Sequence, residues 1–282
     1  MAHRYPQYLK RALRRVLAFA VSLGLGASSA ACGQASVMAE APDGPTITIG
    51  VSLDEPGVGL RHDGQYSGLD ITVARYVAQV LGYARKQVNF MQVWPANADS
   101  MLSSGKAQML VTSLPMDGTK REGVQSSKPY LLAQQDLLIR RDGRASITGL
   151  SDLKGKVVCS AAGSGAAANL KKAITGVLLR ERDSYPQCVT ALLIGEADAV
   201  SADDAVLSGL ASAMGSDYLT LVGESLGLAV HAVQVPAGEN ELIRKIDDAL
   251  AMMRKDGSLA RALDALRDST GYAQGSLPAS AG

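Results

Sequence analysis

Two stretches of the chain, 47–113 and 157–204, alternate short β-rich apolar runs with helical periodicities, and this alternation restricts the fold more than any other feature. In the first, Ile47–Leu53 (ITIGVSL) reads as a strand broken by the turn Asp54-Glu55-Pro56-Gly57. Asp70–Leu81 places Ile71, Ala74, Val77, Ala78 and Leu81 on one helical face, with Asp70 at its start. Val88–Val93 is the next strand, a short helix runs to Ser104, and Met109–Ser113 is an apolar strand. Strand, helix, strand, helix, strand implies a parallel α/β sheet. In the second stretch Val157–Ser160 is a strand, Gly163-Ser164-Gly165 a tight loop and Ala166–Leu179 a helix. A further helix closes at Ala191–Gly195, and the strand Ala197–Ala202 ends at Asp203-Asp204. Glu239–Lys255 is amphipathic, with Leu242, Ile243, Ile246, Leu250 and Met253 on one side, and a last helix runs from Leu259 to about Arg267. Two units of similar plan, without an internal sequence repeat, indicate two lobes.

The leading segment reads as an export signal over 1–31. Arg4, Lys10, Arg11, Arg14 and Arg15 precede the uncharged run Val16–Ala31, which is too short for a comfortable membrane span and suits a signal core. Small residues, Ser28-Ser29-Ala30-Ala31, stand immediately before Cys32. That arrangement resembles the lipobox of bacterial lipoproteins, in which the cysteine is lipidated, although Ser29 stands where Leu is usual. An ordinary secretory signal cut near Ala31 is the alternative. Residues 32–45 then read as a flexible, lipid-anchored tether.

Five of the 28 basic residues and none of the 27 acidic ones fall in the signal, so the remainder carries 23 against 27, about −4. No basic patch with interleaved aromatics points to nucleic acid. Beyond the signal only His62 and His231 remain, so no metal site and no cofactor are expected. Cys159 and Cys188 form an even pair in an oxidising compartment, which favours a disulfide over two buried thiols.

Six segments in register resemble the amino-acid-binding proteins of ABC importers, solute-binding protein family 3, and among them the glutamate-binding lipoproteins of Gram-positive bacteria. These are IGVSLDEPGVGL (49–60), GQYSGLDITVARYVAQVLGY (64–83), SKPYLLAQQDLLIRRDG (127–143), LKGKVVCSAAGSGA (153–166), QCVTALLIGEADAVSADDAVLSG (187–209) and ELIRKIDDALAMMRKDGSLARAL (241–263). The resemblance implies an α/β, two-lobed type II periplasmic-binding fold, each lobe a mixed, mainly parallel sheet flanked by helices, with the ligand cleft between lobes. Its expected layout is lobe 1 over 46–130 and 230–270, lobe 2 over 135–225, hinge strands at 131–134 and 226–229, and a disordered tail over 271–282. The two cysteines fall where these relatives carry a bridge, and closing a loop of about 30 residues stabilises by roughly 3 kcal/mol.

An amino acid is a zwitterion, so its receptor needs an anion hole and an acid for the ammonium. Family likeness puts the anion hole at the backbone of Gly163, Ser164 and Gly165, where a helix N-terminus offers unsatisfied N–H groups. A plain strand-to-helix turn is the alternative. It puts the ammonium partner at Asp203, which a helix N-cap role would also explain, and a further contact at Asp54, otherwise a turn acid. Trp94 and Ser113 are further candidates, Trp94 with a core role as its alternative.

The family's carboxylate-binding Thr and Arg correspond, without gaps, to Asp117 and Lys120, and Arg121 takes the Arg role only if the backbone shifts by one residue. Lys120 keeps the charge but loses the bidentate fork. Asp117 facing a ligand carboxylate at 4 Å would repel it by about 4 kcal/mol, unless it turns away as a helix N-cap. An Arg-Glu pair of the glutamate-binding relatives is replaced near Ala98-Asp99, which puts glutamate specificity in doubt.

The expected function is therefore an extracellular substrate-binding lipoprotein, a monomer anchored outside the cell membrane through Cys32, binding a small polar amino acid of the glutamate or glutamine kind and delivering it to an ABC permease. A sensor coupled to a membrane signalling partner is the alternative. A dehydratase-type enzyme on the same fold is a remoter one, since neither a nucleophile elbow nor an H-E-x-x-H motif is read in the chain.

Overall fold

The computed structural model describes residues 44–115, 121–143 and 147–273. The signal, Cys32, most of the tether, Asp117, Lys120 and residues 274–282 lie outside these. The first half runs β1 (Ile47–Val51), β2 (Asp54–Glu55), β3 (Gly59–His62), β4 (Gln65–Ser67), α1 (Leu69–Val80), β5 (Val88–Gln92), α2 (Ala98–Ser103), β6 (Met109–Pro115) and β7 (Val124–Ser126). Next come β8 (Leu131–Arg140), β9 (Val157–Ala161), α3 (Gly165–Ala173), β10 (Leu178–Arg182), α4 (Tyr185–Leu193), β11 (Ala199–Asp203), α5 (Asp204–Gly215) and β12 (Leu219–Leu221). The chain returns through β13 (Leu228–Pro236), α6 (Asn240–Lys255) and α7 (Ser258–Thr270).

The main sheet has the order β10-β9-β11-β8-β13-β6-β1-β5, and β2-β3-β4 form a separate small sheet. Its two flanks are parallel as expected: β1 pairs with β5 and β6, and β9 with β10 and β11. The middle is not. β8 and β13 are antiparallel to each other, and each is antiparallel to the flank it joins. β8 also changes partner partway along. Leu131–Gln134 pair with β13, whereas Gln135–Ile139 pair with β11. One strand thereby belongs to both flanks.

Helical periodicity explains the covering layers. α6 buries Ile243, Ile246, Ala249, Leu250 and Met253 along one face, and each large apolar side chain among them contributes roughly 2 kcal/mol. α1 buries Leu69, Ile71, Val73, Ala74, Val77 and Ala78. Two boundaries differ from the sequence reading. Leu178 and Leu179, read as the end of a helix, belong to β10, because Gly176 adopts a φ of 85° and turns the chain out of α3. Residues 271 and 272, expected to be disordered, are part of the fold: Gly271 caps α7 in a left-handed conformation, and Tyr272 is only 3% exposed against the core.

Cys159 and Cys188 are joined as a disulfide with Cα atoms 5.3 Å apart, fastening β9 to α4. No helix of the described residues is long and apolar enough to cross a membrane.

Candidate functional site

One cavity gathers side chains from both flanks of the sheet. The first flank contributes Ser52 and Glu55 beyond β1, Val93, Trp94 and Pro95 beyond β5, Thr112 and Ser113 of β6, and Arg121. The second contributes Gln135 of β8, the turn Gly163–Ala166 with Asn169 of α3, Tyr185 of α4, and Asp203 with Val206 around the start of α5. Leu228 and Ala229 of β13 lie between them.

The turn after β9 is built as its sequence dictates. Gly163 has a φ of 73° and meets the opposite wall so closely that an added Cβ would lie 2.8 Å from Ala96 Cα. Ser164 caps α3, its Oγ accepting from Ala167 N–H at 3.2 Å. The hydroxyl is also within 3.2 Å of Ser160 Oγ, which donates to the Ser201 carbonyl at 2.8 Å. The α3 N-terminus thus opens into the cavity with a fixed orientation, and a helix N-terminus favours an anion.

The acid side is a buried charge cluster. Asp203 ends β11 and caps α5, accepting from Val206 N–H at 3.0 Å. Its Oδ1 lies 3.5 Å from His231 Nε2, and His231 Nδ1 lies 3.2 Å from Asp70 Oδ1. Tyr130 donates its hydroxyl to the same Asp70 oxygen at 2.8 Å and stands edge-on to the imidazole. Burial alone would lower the His231 pKa, but Asp70 and Asp203 outweigh it and hold the imidazole well above its ordinary value. Burial would likewise raise Asp203, but His231, Val206 N–H and Ser113 bring it below the usual carboxylate range. Asp203 therefore presents a stable anion at the cavity.

Arg121 also lines the cavity. Its guanidinium pairs with Asp99 and donates to Gln234 Oε1. Gln135 completes the polar wall, donating to Ser201 Oγ at 3.0 Å and Ala166 O at 3.1 Å while accepting from Asn169 at 3.0 Å.

Of the residues singled out from sequence, Trp94, Ser113, Arg121, Gly163, Ser164, Gly165 and Asp203 line this cavity, and Trp94 is 40% exposed rather than in the core. Asp54 does not line it; its Oδ1 accepts from Gln92 Nε2 at 3.3 Å. The neighbouring Glu55 does, because successive strand side chains point to opposite faces. Glu55, Ser52, Thr112, Gln135, Asn169 and Tyr185 were missed, and strand alternation across Asp54-Glu55 was the one available signal. One motif was also overlooked. Gly223-Glu224-Ser225-Leu226-Gly227 spells G-x-S-x-G, but it links β12 to β13 rather than a strand to a helix, and Ser225 Oγ hydrogen-bonds Gln134. It is not a nucleophile elbow.

Asp204, beside Asp203, is 1% exposed and accepts Gln134 N–H at 3.1 Å, where β8 changes partner. Burial and the adjacent Asp203 push its pKa up to about 6. A raised carboxylate value means that the folded chain holds this proton more tightly than the unfolded one, so ionisation costs stability as pH rises from about 4 to 6. Asp204→Asn keeps an acceptor for Gln134 and removes the charge. It is expected to raise stability at pH 7.5 by up to about 3 kcal/mol, with the gain shrinking as pH falls from 6 towards 4. Thermal melts of both proteins across that range measure it.

Residues 47–265 match the family model of bacterial extracellular solute-binding proteins, family 3. The glutamate-binding protein GluB of Corynebacterium efficiens is 32% identical over 252 residues, covering 84% of this chain and 85% of that protein. The ABC transporter glutamine-binding protein GlnH of Bacillus subtilis is 26% identical over 245 residues, covering 86% and 88%. Among solved structures, an ancestral arginine-binding protein bound to glutamine aligns with a TM-score of 0.73 and 28% identity over 81% of this chain and 99% of that one. The fold is the two-lobed type II periplasmic-binding architecture, and the chain belongs to the family 3 bacterial extracellular solute-binding proteins.

Proposed function

We propose that this protein is the extracellular binding component of an amino-acid ABC importer, capturing a small polar amino acid of the glutamate or glutamine kind by closure of its two lobes. One observation carries the reading: a stabilised Asp203 anion shares a cavity with a helix N-terminus and Arg121. Those opposite charges match the ammonium and carboxylate of a zwitterion. The likeness to GluB and GlnH supports the ligand class.

Closure would turn on the two central strands, with the hinge at 131–134 and 226–229, lobe 1 over 46–130 and 230–270, and lobe 2 over 135–225. The partner switch along β8 supports this division. The protein would act as a monomer without catalysis, held to the membrane by a lipid on Cys32 and handing its ligand to the permease. Asp117 and Lys120 would add to the site from the segment before Arg121.

Asp203→Asn tests the reading, because asparagine keeps the helix cap but loses the charge. Calorimetric titration with L-glutamine, L-glutamate, L-aspartate, L-asparagine and L-arginine should find a tight ligand for the wild type. The variant should bind it about 100-fold more weakly, about 2.7 kcal/mol. Unchanged affinity would remove Asp203 from the site.

A further inference from the structure

We propose that His231 couples ligand capture to a proton: its imidazolium balances Asp203 in the ligand-free protein, the ligand's ammonium takes over that balance, and binding releases the Nε2 proton of His231 to water. This rests on the amino-acid-receptor reading above.

The geometry separates the two ring nitrogens. Asp203 lines the cavity, whereas His231 is fully buried and does not. His231 Nδ1 is hydrogen-bonded to Asp70 Oδ1 at 3.2 Å. Nε2 lies 3.5 Å from Asp203 Oδ1, too long for a well-formed hydrogen bond, and has no other partner among the described residues. The Nε2 proton is therefore held by charge, and charge is what a ligand at Asp203 supplies.

The titratable groups facing the imidazole are Asp70 on α1, Asp203 at the end of β11, Glu55 on β2 and Tyr130 just ahead of β8. Its neighbour on β6 is Ser113, and Asp204 is turned to Gln134 N–H. Among these groups only His231 carries a positive charge. An ammonium on the cavity side of Asp203 sets a second cation against the same carboxylate, and a like charge nearby disfavours the protonated ring. The ring then gives up its Nε2 proton and stays neutral, with Nδ1–H still donated to Asp70. Because a proton leaves, affinity rises with pH, by up to about tenfold per pH unit. Glu55, whose pKa burial and its acidic neighbours raise, would release a proton in the same direction, so the test separates the two.

Ring ¹H–¹⁵N spectra of the purified protein from pH 6 to pH 10, with and without saturating L-glutamine, L-glutamate or L-arginine, read His231 directly. His62, exposed at the end of β3, is the internal reference. The His231 midpoint should fall by at least one pH unit with the ligand that binds. Calorimetry between the two midpoints, in phosphate and in Tris, whose ionisation heats differ, should show proton release by the wild type and equally by Glu55→Gln, with thermal melts confirming that the variant folds. A midpoint that a bound ligand leaves unchanged or raises, or proton release lost in Glu55→Gln, overturns the coupling through His231 and leaves the receptor reading standing. Absence of binding by all three amino acids overturns both.

Discussion

Replacing His231 with leucine should cost about 4 kcal/mol of folding stability, which in a chain of this size lowers Tm by roughly 10 °C. The imidazole is buried between Asp70 and Asp203, 3.2 Å from one and 3.5 Å from the other. Leucine leaves two carboxylates facing each other across an apolar gap. Breaking a buried ion pair by removing one partner is far worse than never having built it, because the remaining charges keep their desolvation cost without compensation. The sign of the pH dependence follows from the direction of each pKa. The His231 value is raised on folding, so its contribution is complete below about 6.5, the unfolded imidazole value, and is lost as pH rises through the folded value. Asp203 is lowered, so its contribution is present above its unfolded value and is lost in acid. Denaturant titrations at pH 6 and pH 8.5 should therefore show the wild type weaker at the higher pH, and His231→Leu less stable than the wild type at pH 6. A cost below about 1 kcal/mol would mean that the two carboxylates are not charged partners of the imidazole.

Removing the disulfide is the second large effect. Cys159→Ala with Cys188→Ala should lose about 3 kcal/mol, the entropy of leaving open a loop whose ends are 29 residues apart. The consequence reaches the cavity, since the bridge joins β9, which leads into the Ser164 cap, to α4, which begins at Tyr185. Melts with and without a thiol reductant should show the wild type shifting towards the double variant and the variant insensitive. Equal Tm values under oxidising conditions would show that the loop is held by packing alone.

Local patterns made much of this fold legible. The apolar faces of α1 and α6 follow the helical spacing of their own residues, and Gly163-Ser164-Gly165 reads as a strand-to-helix turn from sequence. The end of α3 was misread because Ile174, Val177 and Leu178 prolong an apolar run, although Gly176 carried the breaking signal. The Asp70–His231–Asp203 cluster was not legible at all. Asp70 and His231 are 161 residues apart, and only the insertion of β13 between β8 and β6 brings them together. The same holds for Arg121 with Asp99 and for Gln135 with Asn169, contacts set by tertiary packing. Asp54 and Glu55 differ by one position, and the pleat decides which of them meets the cavity.

The tight approach of Gly163 to Ala96 has a counterpart at Gly209, where an added Cβ would lie 1.8 Å from Pro56 O. Gly209 is a doorstop waiting to be fitted: a single methyl there wedges apart surfaces that now touch, without altering a residue that lines the cavity. Under the proposed lobe closure, a graded series of small side chains at position 209 would dial how far the jaws come together. Paired with two dyes, that series would turn the molecule into a set of optical reporters with staggered detection ranges.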